Sequence, residues 1–237
     1  MTIKKIIYVN LDRRSDRNAC YLKEMEAAGV PLDLIERFPA KDWKDYDSVE
    51  HTIVQMQKED GFGKWVLDGA YKEPNGFLKQ KHRGLVAYIW SFCKVWKRII
   101  DDPEIGDTDY VLVMHDDASL KCWDSLNRAL QTISFRPQLM QLFYIHCDPI
   151  PRNLVGYHNA VWNTGIMTFG EHALIVSKYS SSRMLALMQG CHRRLLPVET
   201  ALYEHYNNHR SAVHPAKRTQ FVKLIYEGGR NVVEKGF

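Results

Sequence analysis

The stretch that most clearly offers chemistry is YVLVMHDDASL, residues 110–120. An apolar run typical of a buried strand leads directly into His115, Asp116 and Asp117. Adjacent carboxylates repel each other, so we expect a positive charge beside them. Carboxylate oxygens are hard ligands that suit Mg²⁺ or Mn²⁺, and these ions in turn bind substrate phosphates. The alternative is that the two aspartates only cap a following helix, as Asp often does.

Short β-rich runs alternate with stretches of helical periodicity along most of the chain. The predicted strands are residues 6–10, 34–38, 110–114, 139–145 and 172–177, and the predicted helices are residues 11–30 with Gly29 as a stop, 85–100, 180–190 and the segment opened by Pro197. This alternation predicts an α/β fold with a mostly parallel central sheet flanked by helices. Ligands of such sheets gather at the carboxyl ends of the strands, where Asn10, the Ala40 region and His115–Asp117 are expected. Residues 41–83 are predicted to form an irregular, functional loop.

Length and composition indicate one large intracellular domain or at most two small ones. The chain has 237 residues, 45% of them apolar, which is enough for one sizeable core. The formal charge of +4 is mild and the basic residues are scattered, so we expect no nucleic acid partner. Five widely spaced cysteines without a CxxC pair indicate a reduced compartment. No apolar run approaches the ~20 residues that span a bilayer. We therefore expect a cytoplasmic protein, with the inner membrane surface as an alternative location.

Six sequence blocks, in order along the chain, resemble blocks of glycosyltransferase family 25, which contains lipooligosaccharide and collagen galactosyltransferases. The blocks are IIYVNLDRRSDR (6–17), IERFPAKDW (35–43), GLVAYIWSFCKVWKRII (84–100), DYVLVMHDDA (109–118), GEHALIVS (170–177) and PVETAL (197–202). The chain differs from the family pattern at His115, where the family has Glu, at Phe92, where it has His, and at Glu199, where it has Asp. The ordered set is similar to a diverged member of this family.

The resemblance implies one GT-A-like glycosyltransferase domain over residues 1–237. It implies transfer of a hexose, galactose or glucose, from a UDP-sugar to a hydroxyl of a saccharide or glycoconjugate, with inversion and with Mn²⁺ or Mg²⁺. A lipid-linked acceptor would bring peripheral membrane contact. The residues that the resemblance places with the donor are Asn10, Leu11, Arg13, Arg17, Ala40, Lys41, Asp42, Ser91 and Asp116. The residues that it places at the metal are Asp117, Asp116 and the late histidine His214.

Several of these roles have alternatives. Arg17 is expected to bind a donor phosphate bidentately, or else to be a surface arginine on the first turn of a helix. Asp42 is expected to accept a hydrogen bond from a ribose hydroxyl, or else to be a turn carboxylate. For His214, an ordinary loop histidine is the favoured alternative. His205 and His209 lie four residues apart but lack the Glu of an HExxH motif, so a solvated helix face is favoured there.

Inverting transfer needs a general base that deprotonates the acceptor hydroxyl. Glu199 is the predicted base because it occupies the family's Asp position near a helix start, although a first-turn Glu favoured by the helix dipole is the alternative. Glu171 and Asp148 are lesser candidates. Two other functions stay open: a sugar nucleotidyltransferase, which would need a triphosphate and a sugar phosphate, and an inactive nucleotide- or glycan-binding relic.

Overall fold

The computed structural model describes residues 2–62, 83–131, 139–141, 155–157, 160–163, 172–189, 221–226 and 233–235. The helices are α1 Ser15–Ala27, α2 Val49–Asp60, α3 Arg83–Asp101, α4 Trp123–Gln131 and α5 Lys178–Met188. The strands are β1 Ile3–Asn10, β2 Ile35–Pro39, β3 Tyr110–His115, β4 Ala118–Leu120, β5 Leu139–Gln141, β6 Val155–Tyr157, β7 Ala160–Asn163, β8 Ala173–Val176, β9 Phe221–Tyr226 and β10 Val233–Lys235. Short 3₁₀ helices at Leu32–Leu34 and Trp43–Asp45 precede β2 and α2.

Eight strands form one sheet in the order β2-β1-β3-β8-β5-β9-β7-β6. β1 pairs in parallel with β2 and β3, and β5 pairs in parallel with β9. β8 runs antiparallel between β3 and β5, and β7 runs antiparallel to β6 and β9. All strands of the sheet except β7 and β8 therefore point the same way. This confirms the predicted α/β fold with a mostly parallel central sheet. A separate antiparallel pair joins β4 to β10.

Helices cover both faces of the sheet at β3, whose alternate side chains belong to two different hydrophobic clusters. Val111 and Val113 belong to one hydrophobic cluster, whereas Leu112 and Met114 belong to another. The first cluster includes side chains of α2, α3 and α5, and the second includes side chains of α1 and α4. A strand buried on both faces has a continuous apolar sequence, which explains why the sequence pattern alone indicates β3. Among the described helices, none is long and apolar enough to cross a bilayer.

The prediction that residues 41–83 form an irregular loop is wrong for residues 49–60, which form α2. The many charged residues of this stretch obscure Val49, Ile53 and Met56, whose helical spacing gives the helix its buried face. Ser48 caps the amino end of α2, because its hydroxyl accepts a hydrogen bond from His51 N at 3.0 Å. Residues 63–82 lie outside the described part of the chain.

Candidate functional site

The candidate site lies where β1, β2 and β3 end. Asn10 is the last residue of β1 and is paired in register with Pro39, the last residue of β2. His115 ends β3 and is paired with Val9, so the three strand ends form one edge of the sheet. The expectation that Asn10, the Ala40 region and His115–Asp117 meet at the carboxyl ends of parallel strands is confirmed.

Asn10 connects the segments that leave these strands. Its side chain is almost completely buried, at 1% exposure. Its Nδ2 donates to Asp116 Oδ2 at 2.8 Å and to the carbonyl oxygen of Arg14 at 3.2 Å. Its Oδ1 accepts from Arg37 Nε at 2.9 Å, and its backbone oxygen accepts from Ala40 N at 2.9 Å. Because all these bonds converge on one buried residue, Asn10 fixes the loops after β1 and β2 against the turn after β3.

The turn after β3 carries the two aspartates, and the predicted positive charge lies beside them. Arg17 Nη1 is 3.1 Å from Asp116 Oδ1 and 4.0 Å from Asp117 Oδ2. Arg17 therefore lies on the first turn of α1, as expected, and pairs with the carboxylates, whereas its contact with a donor phosphate stays a prediction. The next element after Asp117 is β4, so the alternative that the two aspartates cap a helix is wrong.

The two carboxylates have different surroundings. Both oxygens of Asp116 accept described hydrogen bonds, one from Asn10 and one from Arg17. Asp117 Oδ1, by contrast, is buried and accepts no hydrogen bond from the part of the chain that the structure describes. A buried carboxylate oxygen is costly unless a donor or a cation reaches it. Asp117 thus has a buried carboxylate oxygen that a metal ion could compensate, and the roles of Asp117 and Asp116 as metal ligands stay predictions.

Two histidines lie close to Asp117. One potential ligand atom from each of His115, Asp117 and His172 lies within 4.8 Å of the other two. The His115 backbone N–H donates to the carbonyl oxygen of His172 at 3.0 Å, and the two imidazole rings are 4.8 Å apart. His172 directly precedes β8, which runs antiparallel to β3. These three side chains can hold a metal ion with two nitrogens and one oxygen.

Two aromatic side chains of α3 lie next to His115. The Phe92 ring is 5.2 Å from the His115 ring, and the Tyr88 ring is 5.9 Å from it. Both aromatic residues lie on α3, and Phe92 is buried at 1% exposure. Two of the positions at which the chain differs from the family pattern, 92 and 115, are therefore neighbours in the structure.

Of the remaining predicted donor residues, Ala40, Lys41 and Asp42 follow β2, Leu11 and Arg13 follow β1, and Ser91 lies on α3. Arg13 and Asp42 form an ion pair, and Asp42 Oδ1 also accepts from Lys44 N at 3.0 Å. Ser91 is buried and accepts from Lys41 N at 2.8 Å, so its hydroxyl fixes the loop backbone. Lys41 Nζ lies 4.2 Å above the Trp90 ring. The carbonyl oxygen of Leu11 accepts from Arg14 N in the turn after β1. Contact of these residues with a donor stays a prediction.

Several predicted site residues lie outside the described residues: Glu199, His214, Glu171, Asp148, His205 and His209. Conversely, the structure adds two neighbours of the site that the sequence does not single out as functional. Arg37 binds Asn10 and also pairs with Asp12 at 2.6 Å, which adds a cation beside the strand ends. For His172, the sequence pattern indicates only the start of a strand. A histidine directly before an apolar run is the signal that could have identified it.

Comparisons with known proteins give the following findings. No family model matches the chain, and no curated protein matches it. Among solved structures, the apo-form glycosyltransferase GlyE of Streptococcus pneumoniae TIGR4 aligns with 88% of this chain and 44% of its own, at a TM-score of 0.43 and 8% identity. The chain thus spans less than half the length of that protein. Membership of family 25 stays a prediction from the sequence blocks.

Proposed function

We propose that the protein is a glycosyltransferase that moves a hexose from a UDP-sugar to a hydroxyl of a saccharide or glycoconjugate, with the help of Mn²⁺ or Mg²⁺. The observation that carries this proposal is the cluster of Asn10, Arg17, Asp116 and Asp117 at the ends of parallel strands. The carboxyl edge of a parallel sheet is where α/β proteins bind ligands. The six sequence blocks that resemble family 25 include every one of these residues.

The charges of the site fit a diphosphate together with a cation. Two carboxylates alone would repel a diphosphate, so a cation must mediate between them. A carboxylate oxygen of Asp117 and one ring nitrogen each from His115 and His172 fit such an ion, and Oδ1 is the Asp117 oxygen that accepts no described hydrogen bond. When bound, the ion would offset the negative charge that develops on the departing diphosphate. Arg17 lies beside the same carboxylates and offers a guanidinium that suits phosphate oxygens.

The proposed reaction is a single displacement with inversion. The acceptor oxygen forms a bond to the anomeric carbon of the hexose while the bond from that carbon to the UDP oxygen breaks. The acceptor hydroxyl proton passes to a general base, for which Glu199 remains the candidate from the sequence. The residues around Asn10 would hold the diphosphate in place, because the buried amide fixes all three strand-end segments.

Calorimetric titration of UDP tests the proposal. We expect UDP to bind with Mn²⁺ present and to bind weakly or not at all after chelation. Asp117→Asn keeps the side-chain shape and removes the charge, so it is expected to weaken UDP binding at least about tenfold, or ~1.4 kcal/mol. Asp107→Asn is the matched control, because Asp107 is exposed in the loop before β3. Circular dichroism verifies that both variants are folded.

UDP release from UDP-galactose and UDP-glucose, with a panel of saccharide acceptors, then tests transfer. Metal-independent UDP binding, or equal affinity in Asp117→Asn and Asp107→Asn, would contradict the proposed site. UDP binding without transfer to any acceptor or to water would favour the binding relic. Release of pyrophosphate from UTP and a hexose 1-phosphate would favour the sugar nucleotidyltransferase.

A further inference from the structure

We infer that His115, Asp117 and His172 form a mixed nitrogen–oxygen metal centre that selects a first-row transition ion, such as Mn²⁺ or Co²⁺, over Mg²⁺. His172 replaces the late histidine His214 as the third ligand in this inference. The inference deepens the proposed function, on which its catalytic meaning rests. Binding of the ion itself requires only the three side chains.

The first support is the placement of the three residues on backbone that is held by the sheet. His115 is the last residue of β3, and His172 is the residue before β8. The antiparallel pair Met114↔Ala173 and the hydrogen bond from His115 N to His172 O at 3.0 Å fix the two histidines side by side. Ligands that project from hydrogen-bonded strands are positioned more accurately than ligands on free loops.

The second support is the distance between the ligand atoms. The three atoms lie within 4.8 Å of one another. An ion bonded at about 2.1 Å to two ligands holds them at most about 4.2 Å apart. Side-chain rotations that shorten these separations would bring all three atoms to one ion. The described residues supply three ligands in this centre, so other positions on the ion would be left for oxygens of a diphosphate.

The third support is the difference between the two oxygens of Asp117. Oδ2 faces Arg17 Nη1 at 4.0 Å. Oδ1 is buried, accepts no hydrogen bond from the described residues, and is the atom whose burial needs compensation. An ion at Oδ1 supplies that compensation without displacing Arg17. Arg17 also offsets part of the negative charge of the two carboxylates, which lowers their attraction for a cation. The choice of ion then depends mainly on the imidazole nitrogens of His115 and His172.

The choice of ion follows from the ligand chemistry. Mg²⁺ prefers a shell of oxygen atoms in octahedral geometry and loses water reluctantly. Imidazole nitrogen suits the first-row transition ions, whose affinity for a given site rises from Mn²⁺ through Co²⁺. The aromatic side chains of Tyr88 and Phe92 adjoin His115, which limits the access of water on that side. A set of two imidazoles and one carboxylate should therefore discriminate against Mg²⁺.

The test is metal binding to the whole chain, stripped with a chelator, in the absence of any nucleotide. We expect one Co²⁺ per chain with visible d–d absorption bands, and we expect Mg²⁺ in large excess not to displace it. His172→Gln is expected to weaken Co²⁺ binding by about tenfold or more. His51→Gln is the matched control, because His51 lies on α2, where its imidazole pairs with Asp47. Equal Co²⁺ affinity in both variants would overturn the inference.

A second measurement needs no variant and so does not depend on how His172→Gln folds. Pulsed electron paramagnetic resonance of bound Mn²⁺ reports coupling to ¹⁴N when imidazole is a ligand. We expect this coupling in the natural chain. Nucleotide-dependent Mn²⁺ binding without ¹⁴N coupling would overturn the inference and leave the proposed glycosyltransferase intact. Mn²⁺ that shows ¹⁴N coupling in a protein that binds no UDP would support the metal centre and contradict the proposed glycosyltransferase.

Discussion

The ion cluster of Lys5, Glu36, Arg98 and Asp102 gives the sharpest prediction about stability. Lys5 Nζ lies 2.8 Å from Asp102 and 3.0 Å from Glu36, and Arg98 contacts the same two carboxylates. The cluster joins β1, β2 and the end of α3, which are the elements that position the site. We expect Asp102→Asn to destabilise the fold strongly because it removes one charge from this cluster.

The expected size follows from burial. The Asp102 side chain is 3% exposed and accepts from Lys5, from Arg98 at 2.9 Å and from Glu104 N at 2.9 Å. Removing one partner of a buried ion pair costs about 3–5 kcal/mol. In Asp102→Asn, Lys5 and Arg98 still pair with Glu36 and are partly exposed. We therefore expect a loss of unfolding free energy at the lower end of this range, about 3 kcal/mol. Asp101→Asn is the matched control: Asp101 and its partner Lys97 are 56% and 52% exposed, and such pairs contribute ~0–1 kcal/mol.

The effect depends on pH in a defined direction. The hydrogen bond from Lys5, which outweighs desolvation, holds the pKa of Asp102 below its ordinary value of 3.8. A carboxylate with a lowered pKa in the folded state contributes stability above its unfolded pKa and loses it as the pH falls through the folded pKa. The difference in unfolding free energy between the natural chain and Asp102→Asn should therefore be largest at neutral pH and shrink below pH 3.8.

Urea unfolding followed by tryptophan fluorescence, at neutral and at acid pH, measures both effects. Equal stability of Asp102→Asn and Asp101→Asn at neutral pH would contradict a structural role of the cluster. A difference in stability between the natural chain and Asp102→Asn that widens in acid would contradict it as well. UDP affinity below the unfolding transition should be unchanged in both variants, because the cluster lies away from the strand ends that carry Asn10 and Asp117.

Three further predictions concern local structure. Gly61 ends α2 at φ +71° with no atom within 4 Å of an added Cβ, so Gly61→Ala should cost about 1 kcal/mol in urea unfolding through backbone strain alone. Ser177 caps α5 by accepting from Ser180 N, so Ser177→Ala should cost about 1 kcal/mol, whereas the exposed Ser182→Ala should cost less. A hydrogen bond from Arg14 lowers the pKa of Asp16 to about 2, so an NMR titration of Arg14→Gln should show this pKa rising toward 3.8.

The first three strands and the meeting of their ends could be predicted because the information is local. Buried parallel strands are continuous apolar runs, and a polar residue that follows such a run marks the strand end. Asn10 and Asp116 therefore lie at the predicted edge, and two adjacent carboxylates required the cation that Arg17 supplies. Local periodicity is less informative where charged residues dominate, and for this reason the sequence pattern does not reveal α2.

The pairing of β8 with β3 could not be predicted from local sequence. HALIVS has the pattern of a buried strand whichever way it runs, because its apolar residues do not encode direction. The antiparallel direction decides that the residue before β8 lies next to the residue that ends β3. His172 and His115 are neighbours only for this reason. The role of Arg37 is hidden from the sequence in a similar way, since it depends on the register between β1 and β2.

The pairing of β4 with β10 has a consequence for synthesis of the protein. β4 begins directly after Asp117, and Ala118 is paired with Lys235, which comes 117 residues later in the sequence. A growing polypeptide acquires Asn10, Arg17 and Asp117 early but gains His172 and then β10 much later. Contacts between such distant segments form slowly because a long loop must close first. The turn that carries Asp117 thus gains its pairing with β10 only after every strand of the eight-stranded sheet has been made.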